Sequence, residues 1–267
     1  MNHKDAALLV VSTDSYADVW GPFFQLFWKY WPDCPFPVYL GANKKSVDDP
    51  RIKMILTGED SSWATNLLRM CQAIEAKYVL LLLEDFFFFH PVDTAQILNL
   101  FDVMVSQNGA YLRLSPTPRP NSVVSGEPEI GLIAKGVKIR SSLRASFWKR
   151  DVLMSLLNPG ETAWQMEREG SIRSEKLDEK FFSVWNPTLS YKNAIIRGEW
   201  DQATMRKLEK EGIFPDLEKR PMMPRRILFR RTVVNFLRPL SEKLPVRVGR
   251  PIGDLLRKMG VLAPRRD

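Results

Sequence analysis

The chain is expected to fold as an α/β domain on a mostly parallel sheet, and three observations predict it. The five apolar residues Val79 to Leu83 are too short to cross a bilayer, which takes ~20 residues, so they read as a strand buried on both faces. Strand-like and helix-like runs alternate from Ala6 to Glu167, the pattern of parallel strands joined by helical crossovers. The 267 residues are 45% hydrophobic and 11% aromatic, enough for one large packed domain plus an appendage and too much for a disordered chain.

Taken in order, Ala6 to Ser12 reads as a first buried strand and Thr13-Asp14-Ser15 as the turn after it. Trp20 to Trp31 is an aromatic-rich helix packed on the sheet, with Pro22 suited to its first turn and Pro32 ending it. Val38 to Leu40 is a second strand, closed by Gly41-Ala42-Asn43, and Lys53 to Leu56 a third. Ser61-Ser62 can cap a helix whose apolar stripe is Trp63, Leu67, Met70, Ala73 and Ile74. After Val79 to Leu83, Asp93 caps a helix through Ile97, Leu100 and Met104, and Ala110 to Leu114 is another strand. Residues 115–129 hold four prolines and read as an irregular loop able to act as a lid. Ser142 to Trp148 is strand-like, Arg150 to Leu157 helical, and a further helix opens at Glu161.

Cys34 and Cys71 are the only cysteines, so a disulfide scaffold is not expected; the chain reads as cytosolic, its thiols buried as small hydrophobes. No signal peptide or membrane span is visible in the sequence. With His3 and His90 the only histidines, carboxylates must carry any acid–base chemistry. The net charge of +8 is unevenly spread. From Lys219 onward there are fourteen Lys and Arg against three acids, so that segment carries +11 and residues 1–218 carry −3. This divides the chain into an acidic body, 1–218, and a basic tail, 219–267.

Glu84 and Asp85 follow the apolar strand directly. In open α/β sheets the carboxyl ends of the strands face the ligand crevice, where two acids suit a divalent cation on a phosphate ligand. The alternative is that they only close the strand.

The order of these pieces carries a resemblance. A first strand ending in Thr13-Asp14-Ser15 is followed by Ser62-Trp63 opening a helix and then by LLLEDFFFF. SFWKRDVLMSLL comes next, then Gly160-Glu161-Thr162-Ala163-Trp164-Gln165-Met166-Glu167. This resembles the GT-A-type nucleotide-sugar glycosyltransferases of bacterial surface-polysaccharide synthesis (O-antigen, capsule, lipopolysaccharide), over roughly residues 6 to 200. The resemblance implies a GT-A-like (Rossmann-like) sheet flanked by helices. It also implies a divalent cation, Mn²⁺ or Mg²⁺, on Asp85 with Glu84, bridging the donor's diphosphate. Glu-Asp-Phe stands where Asp-X-Asp is usual, so binding through one firm carboxylate, or catalysis without metal, stays open. By the same resemblance Glu161 or Glu167 would be the general base, and Trp164 would stack on a sugar or else pack into the body. Asp14 would contact the nucleotide or serve as a turn residue, and Lys192 or Arg197 would pair with phosphate.

The tail carries apolar stripes, Phe229, Val233, Phe236, Leu237 and Leu240, then Ile252, Leu255, Leu256 and Met259, set against basic residues. Basic amphipathic helices of this kind suit an anionic bilayer surface; docking on the body or on a second subunit is the alternative, and nucleic acid is not an expected partner. The expectation is a transferase peripheral on the cytoplasmic face of the inner membrane, beside a lipid-linked or glycan acceptor. Other classes are a nucleotidyltransferase or phosphatase using the same acidic strand end, and a non-catalytic scaffold recruited to membrane.

Overall fold

In the computed structural model, which describes residues 5–224, β1 (Ala6–Val11) is buried at every position, as a strand covered by helices on both faces must be. A 3-10 turn at Asp14–Tyr16 leads into α1 (Ala17–Tyr30). Pro22 lies inside α1 and not in its first turn, because the helix starts one turn earlier than expected; the missing prolyl N–H leaves the Asp18 carbonyl without its helical donor. β2 (Val38–Ala42) and β3 (Ile52–Leu56) follow. α2 (Trp63–Gln72) is capped by Ser62, whose hydroxyl accepts from the Thr65 amide at 3.1 Å. β4 (Tyr78–Leu83) carries the acids at its end, and β5 (Phe86–Phe88) starts immediately after them. Asp93 caps α3 (Thr94–Ser106), and β6 is Gly109–Arg113.

The proline-rich stretch holds more structure than expected. β7 (Ser122–Val124) and β8 (Glu127–Leu132) form a hairpin there, turned at Gly126, whose φ of +79° suits glycine. β9 (Ser146–Lys149) covers only the end of the expected strand. α4 (Arg150–Leu156) precedes α5 (Ala163–Ser174), which opens with a reciprocal capping box between Thr162 and Gln165. Glu161 therefore lies outside the helix it was expected to open. β10 (Lys180–Val184), β11 (Tyr191–Asn193), β12 (Ile195–Ile196), β13 (Glu199–Trp200) and α6 (Gln202–Lys210) complete the described chain.

Nine strands form one sheet in the order β3-β2-β1-β4-β9-β6-β10-β8-β7. β1 to β4 are mutually parallel, with Leu8 opposite both Val38 and Leu80. β9 enters antiparallel between β4 and β6, so the carboxyl end of β4 lies beside the start of β9. Alternate residues of β1 serve two cores. Ala6, Leu8 and Val10 pack with α1 and α3, while Ala7, Leu9 and Val11 pack with α2, α4 and α5. The aromatics of α1 fill the first core, as expected: Phe23 lies 6.0 Å from Phe87 and Phe27 5.8 Å from Phe88. Cys34 and Cys71 are free thiols, both pushed up to about 12 by burial.

Of the segment assigned to the tail, residues 219–224 are described, and they pack on the body. Arg220 is 7% exposed and Met223 1%, and the Trp200 amide donates to the Pro221 carbonyl at 2.9 Å. The apolar stripes from Phe229 onward lie outside the described residues. Among the described residues no helix is long and apolar enough to cross a membrane.

Candidate functional site

β1, β2, β3 and β4 run parallel, so their carboxyl ends share one rim, where open α/β sheets hold ligands. Glu84 and Asp85 form the turn between β4 and β5. The Asp85 carbonyl accepts from the Ala194 amide at 2.7 Å and the Phe87 amide at 3.2 Å, and β5 pairs with β11 beyond it. Both carboxyls are held far above the usual carboxylate range. Glu84 is raised to about 8, first by burial and then by the charge of Asp85, against the pull of its own amide and of Arg220. Asp85 is raised to about 7 by burial, against its own amide and that of Ile195.

Two carboxylates fit a cation of the Mg²⁺ type, which usually takes one or two protein carboxylates and completes its shell with phosphate and water. Among the described residues no group of three or more His, Cys, Asp or Glu side chains is placed to hold a metal ion.

A network missed in the sequence joins the β1–α1 turn to the β12–β13 hairpin. The Arg220 guanidinium donates to both oxygens of Asp18 at 2.8 and 3.0 Å, to the Ser15 carbonyl at 2.9 Å and to the Gly198 carbonyl at 2.8 Å. It also lies 4.4 Å from the centre of the Tyr16 ring. The Tyr16 phenol is pushed up by burial and by the charges of Glu84, Asp85 and Asp18, against Arg220. Nothing local in the sequence marks Arg220, which is 202 residues from Asp18.

Asp14 sits on the same rim as a loop clamp. Its Oδ1 accepts from the amides of Asn43, Lys44 and Lys45 at 3.0 to 3.1 Å, while its own amide donates to Asn43 Oδ1 at 3.1 Å. Burial works to raise its carboxyl, but the amides of Lys45, Lys44 and Asn43 hold it below the usual range. Asn43 and Asn66 both donate to Asp60 Oδ1, at 3.2 and 2.7 Å, extending the clamp toward α2.

The two candidate bases are separated. Glu161 is bound by both terminal nitrogens of Arg173, at 2.7 and 2.6 Å, and Arg173 holds its carboxyl below the usual range. Glu167 is half-buried; its Oε1 accepts from the Leu143 amide at 2.8 Å and the Ser142 hydroxyl at 3.0 Å. That contact lies on the lead-in to β9, the strand beside the end of β4. Trp164 is 81% exposed. Lys192 is exposed on β11 opposite Phe87. Arg197, with φ of 55°, and Gly198, with φ of 83°, form the tight turn joining β12 to β13.

No protein-family model and no curated protein matches the chain. Among solved structures it is similar to S. aureus TarS 1–349 in complex with UDP-GlcNAc, with a TM-score of 0.50 at 10% identity, covering 73% of this chain and 60% of that one. The same TarS fragment with UDP gives 0.49 at 11% identity, covering 91% and 76%. CMP:2-keto-3-deoxy-manno-octonic acid synthetase with CTP gives 0.38 at 14% identity, covering 67% and 88%. The chain spans about three fifths of the first-named structure. The likeness is one of fold: a GT-A-like, mostly parallel sheet flanked by helices.

Proposed function

We propose that this chain moves a sugar from a nucleotide-sugar donor to a glycan acceptor. The observation that carries the reading is the acid pair Glu84–Asp85, half-buried at the carboxyl end of β4, where loss of water raises the carboxyls to about 8 and about 7. The UDP-GlcNAc bound by the TarS fragment supports a nucleotide sugar as the ligand of such a sheet.

In this reading the donor's diphosphate lies over Glu84 and Asp85. A divalent cation on these two would neutralise the charge that grows on the leaving diphosphate. Lys192, exposed on β11, and Arg197, exposed in the β12–β13 turn, would pair with phosphate oxygens. Asp14 shapes the nucleotide side of the rim through the backbone it clamps. Glu167 is the better placed base: its bonds fall on one oxygen, whereas both oxygens of Glu161 are taken by Arg173. Trp164 offers its exposed ring to the acceptor's sugar.

We place the reaction in bacterial cell-surface polysaccharide synthesis of the lipopolysaccharide kind, with a lipid-linked acceptor at the cytoplasmic face of the inner membrane. The catalytic body extends through Met223, and the basic segment beyond it attaches the enzyme to anionic lipid; a homo-oligomer is compatible with this arrangement. Calorimetry against UDP, GDP, dTDP and CMP, with and without Mn²⁺ or Mg²⁺, tests the reading. Binding of at least one is expected, and binding of none overturns it. Pyrophosphate release from a nucleoside triphosphate in the presence of a sugar would assign a nucleotidyltransferase instead.

A further inference from the structure

Asp85 is held in place by a chain of backbone contacts that ends on one side chain. The Ala194 amide donates to the Asp85 carbonyl at 2.7 Å, and the Asp201 amide returns to the Ala194 carbonyl at 2.8 Å. These two residues bracket the β12–β13 hairpin. The hairpin is paired with the last described segment: Trp200 donates to Pro221 at 2.9 Å and Met223 to Trp200 at 2.9 Å, and Gln202 Nε2 donates to the Met223 carbonyl at 2.7 Å. Arg220, in the middle of that segment, ties it to the hairpin turn at Gly198 and to the β1–α1 turn at Ser15 and Asp18. Its guanidinium also covers the face of Tyr16, the phenol on which Glu84 and Asp85 act.

We infer that Arg220 is a positioning residue for the donor site, fixing the acid pair by clamping the β1–α1 turn to the β12–β13 hairpin, whose flank bonds Asp85. The inference rests on the nucleotide-sugar reading of the same site. Four acceptor atoms on two segments of chain converge on one planar fork, a task no ammonium can do, since lysine offers a compact charge on a flexible stem. At metal sites, the partners that orient the ligating residues typically change affinity or activity by about 10- to 100-fold, the scale taken for Arg220.

A second buried arginine supplies the control. Arg140, 3% exposed, donates to the carbonyls of Ile133, Ser174 and Glu179 and stacks at 4.0 Å on Phe181. Its partners flank β8, α5 and β10. Arg140→Lys should lower the melting temperature while leaving nucleotide affinity unchanged.

The experiment measures melting temperature and, well below it, the Kd of the tightest binder among UDP, GDP, dTDP and CMP. It uses the full-length wild type, Arg220→Lys, Asp18→Asn and Arg140→Lys. Arg220→Lys and Asp18→Asn are expected to weaken binding by about 10-fold or more, Arg140→Lys by less than about twofold. Should Arg220→Lys fail to fold, Asp18→Asn decides, because it leaves the arginine in place and removes only its anchor. Folded Arg220→Lys and Asp18→Asn proteins that bind like the wild type overturn the inference alone. A wild type that binds none of the four overturns the nucleotide reading, and this inference with it.

Discussion

Both terminal nitrogens of Arg173 grip the Glu161 carboxylate, at 2.7 and 2.6 Å, and this fork fixes the lead-in to α5 against the end of α4, where Arg173 also donates to the Leu156 carbonyl. Arg173 holds the Glu161 carboxyl below its ordinary value of 4.5. The pair's contribution is therefore complete above the ordinary carboxylate range and is lost as pH falls through the lowered value. Glu161→Gln should cost about 2 kcal/mol at pH 7, with the difference from wild type shrinking below about pH 4. Urea unfolding at pH 7 and pH 3 checks this. An equal difference at both would refute the ion-pair account.

Glu167 should behave in the opposite way. Glu167→Gln keeps an oxygen that can accept from Leu143, so the loss of stability should stay near about 1 kcal/mol. Losing a positioned base should slow sugar transfer by about 10²- to 10⁴-fold, with nucleotide affinity retained. The measurement is turnover with donor and acceptor beside calorimetry with donor alone. If Glu161→Gln is the slower of the two, the assignment of the base moves to Glu161.

The raised carboxyls of Glu84 and Asp85 predict how the protein responds to pH. Their values of about 8 and about 7 lie above the ordinary 4.5 and 3.8. The folded chain therefore holds more protons than the unfolded chain between about pH 4 and pH 8, and stability falls as pH rises through that window. Above it the full penalty of two ionised, half-buried acids remains. Glu84→Gln and Asp85→Asn remove that penalty, so each should melt above wild type at pH 9 and approach it near pH 5. Nucleotide binding should show the reverse sign, strongest where the acids are ionised and lost in Asp85→Asn. Melting curves at pH 5, 7 and 9 suffice, and a mutant that gains nothing at pH 9 would count against acids that are costly to ionise.

The parts of the fold legible in the sequence were those written locally. Val79 to Leu83 announced a buried strand by its unbroken apolar run, Ser62 and Asp93 announced helix starts by their hydroxyl and carboxylate, and the alternation of elements announced the parallel sheet. β9 starts four residues later than Ser142, and its antiparallel entry, set by pairing with β4 and β6, is not written in strand propensity, which serves either direction. The β7–β8 hairpin was hidden by four prolines that read as a loop, although Ser125-Gly126 is a turn signal. The Thr162–Gln165 capping box was legible and would have put Glu161 outside α5. The Arg220–Asp18 clamp was not, since a contact across 202 residues leaves no periodicity and its arginine stands at the start of a run of basic residues.

That position makes the last prediction a matter of where the chain is cut. Twelve of the fourteen basic residues from Lys219 onward lie beyond Pro224. Each basic residue near an anionic surface contributes about 1 kcal/mol to attachment. A protein ending at Pro224 should thus lose binding to vesicles containing phosphatidylserine yet keep its nucleotide affinity, because Arg220, Pro221 and Met223 still hold the hairpin. One ending at Glu218, the boundary that charge alone suggests, removes the same membrane charge and also the clamp, so nucleotide binding should fall as well. Vesicle sedimentation and nucleotide calorimetry on the two truncations separate the effects. Vesicle binding that survives the cut at Pro224 would show that the basic segment is not the attachment. Nucleotide affinity that survives the cut at Glu218 would show that the acid pair stands without Arg220.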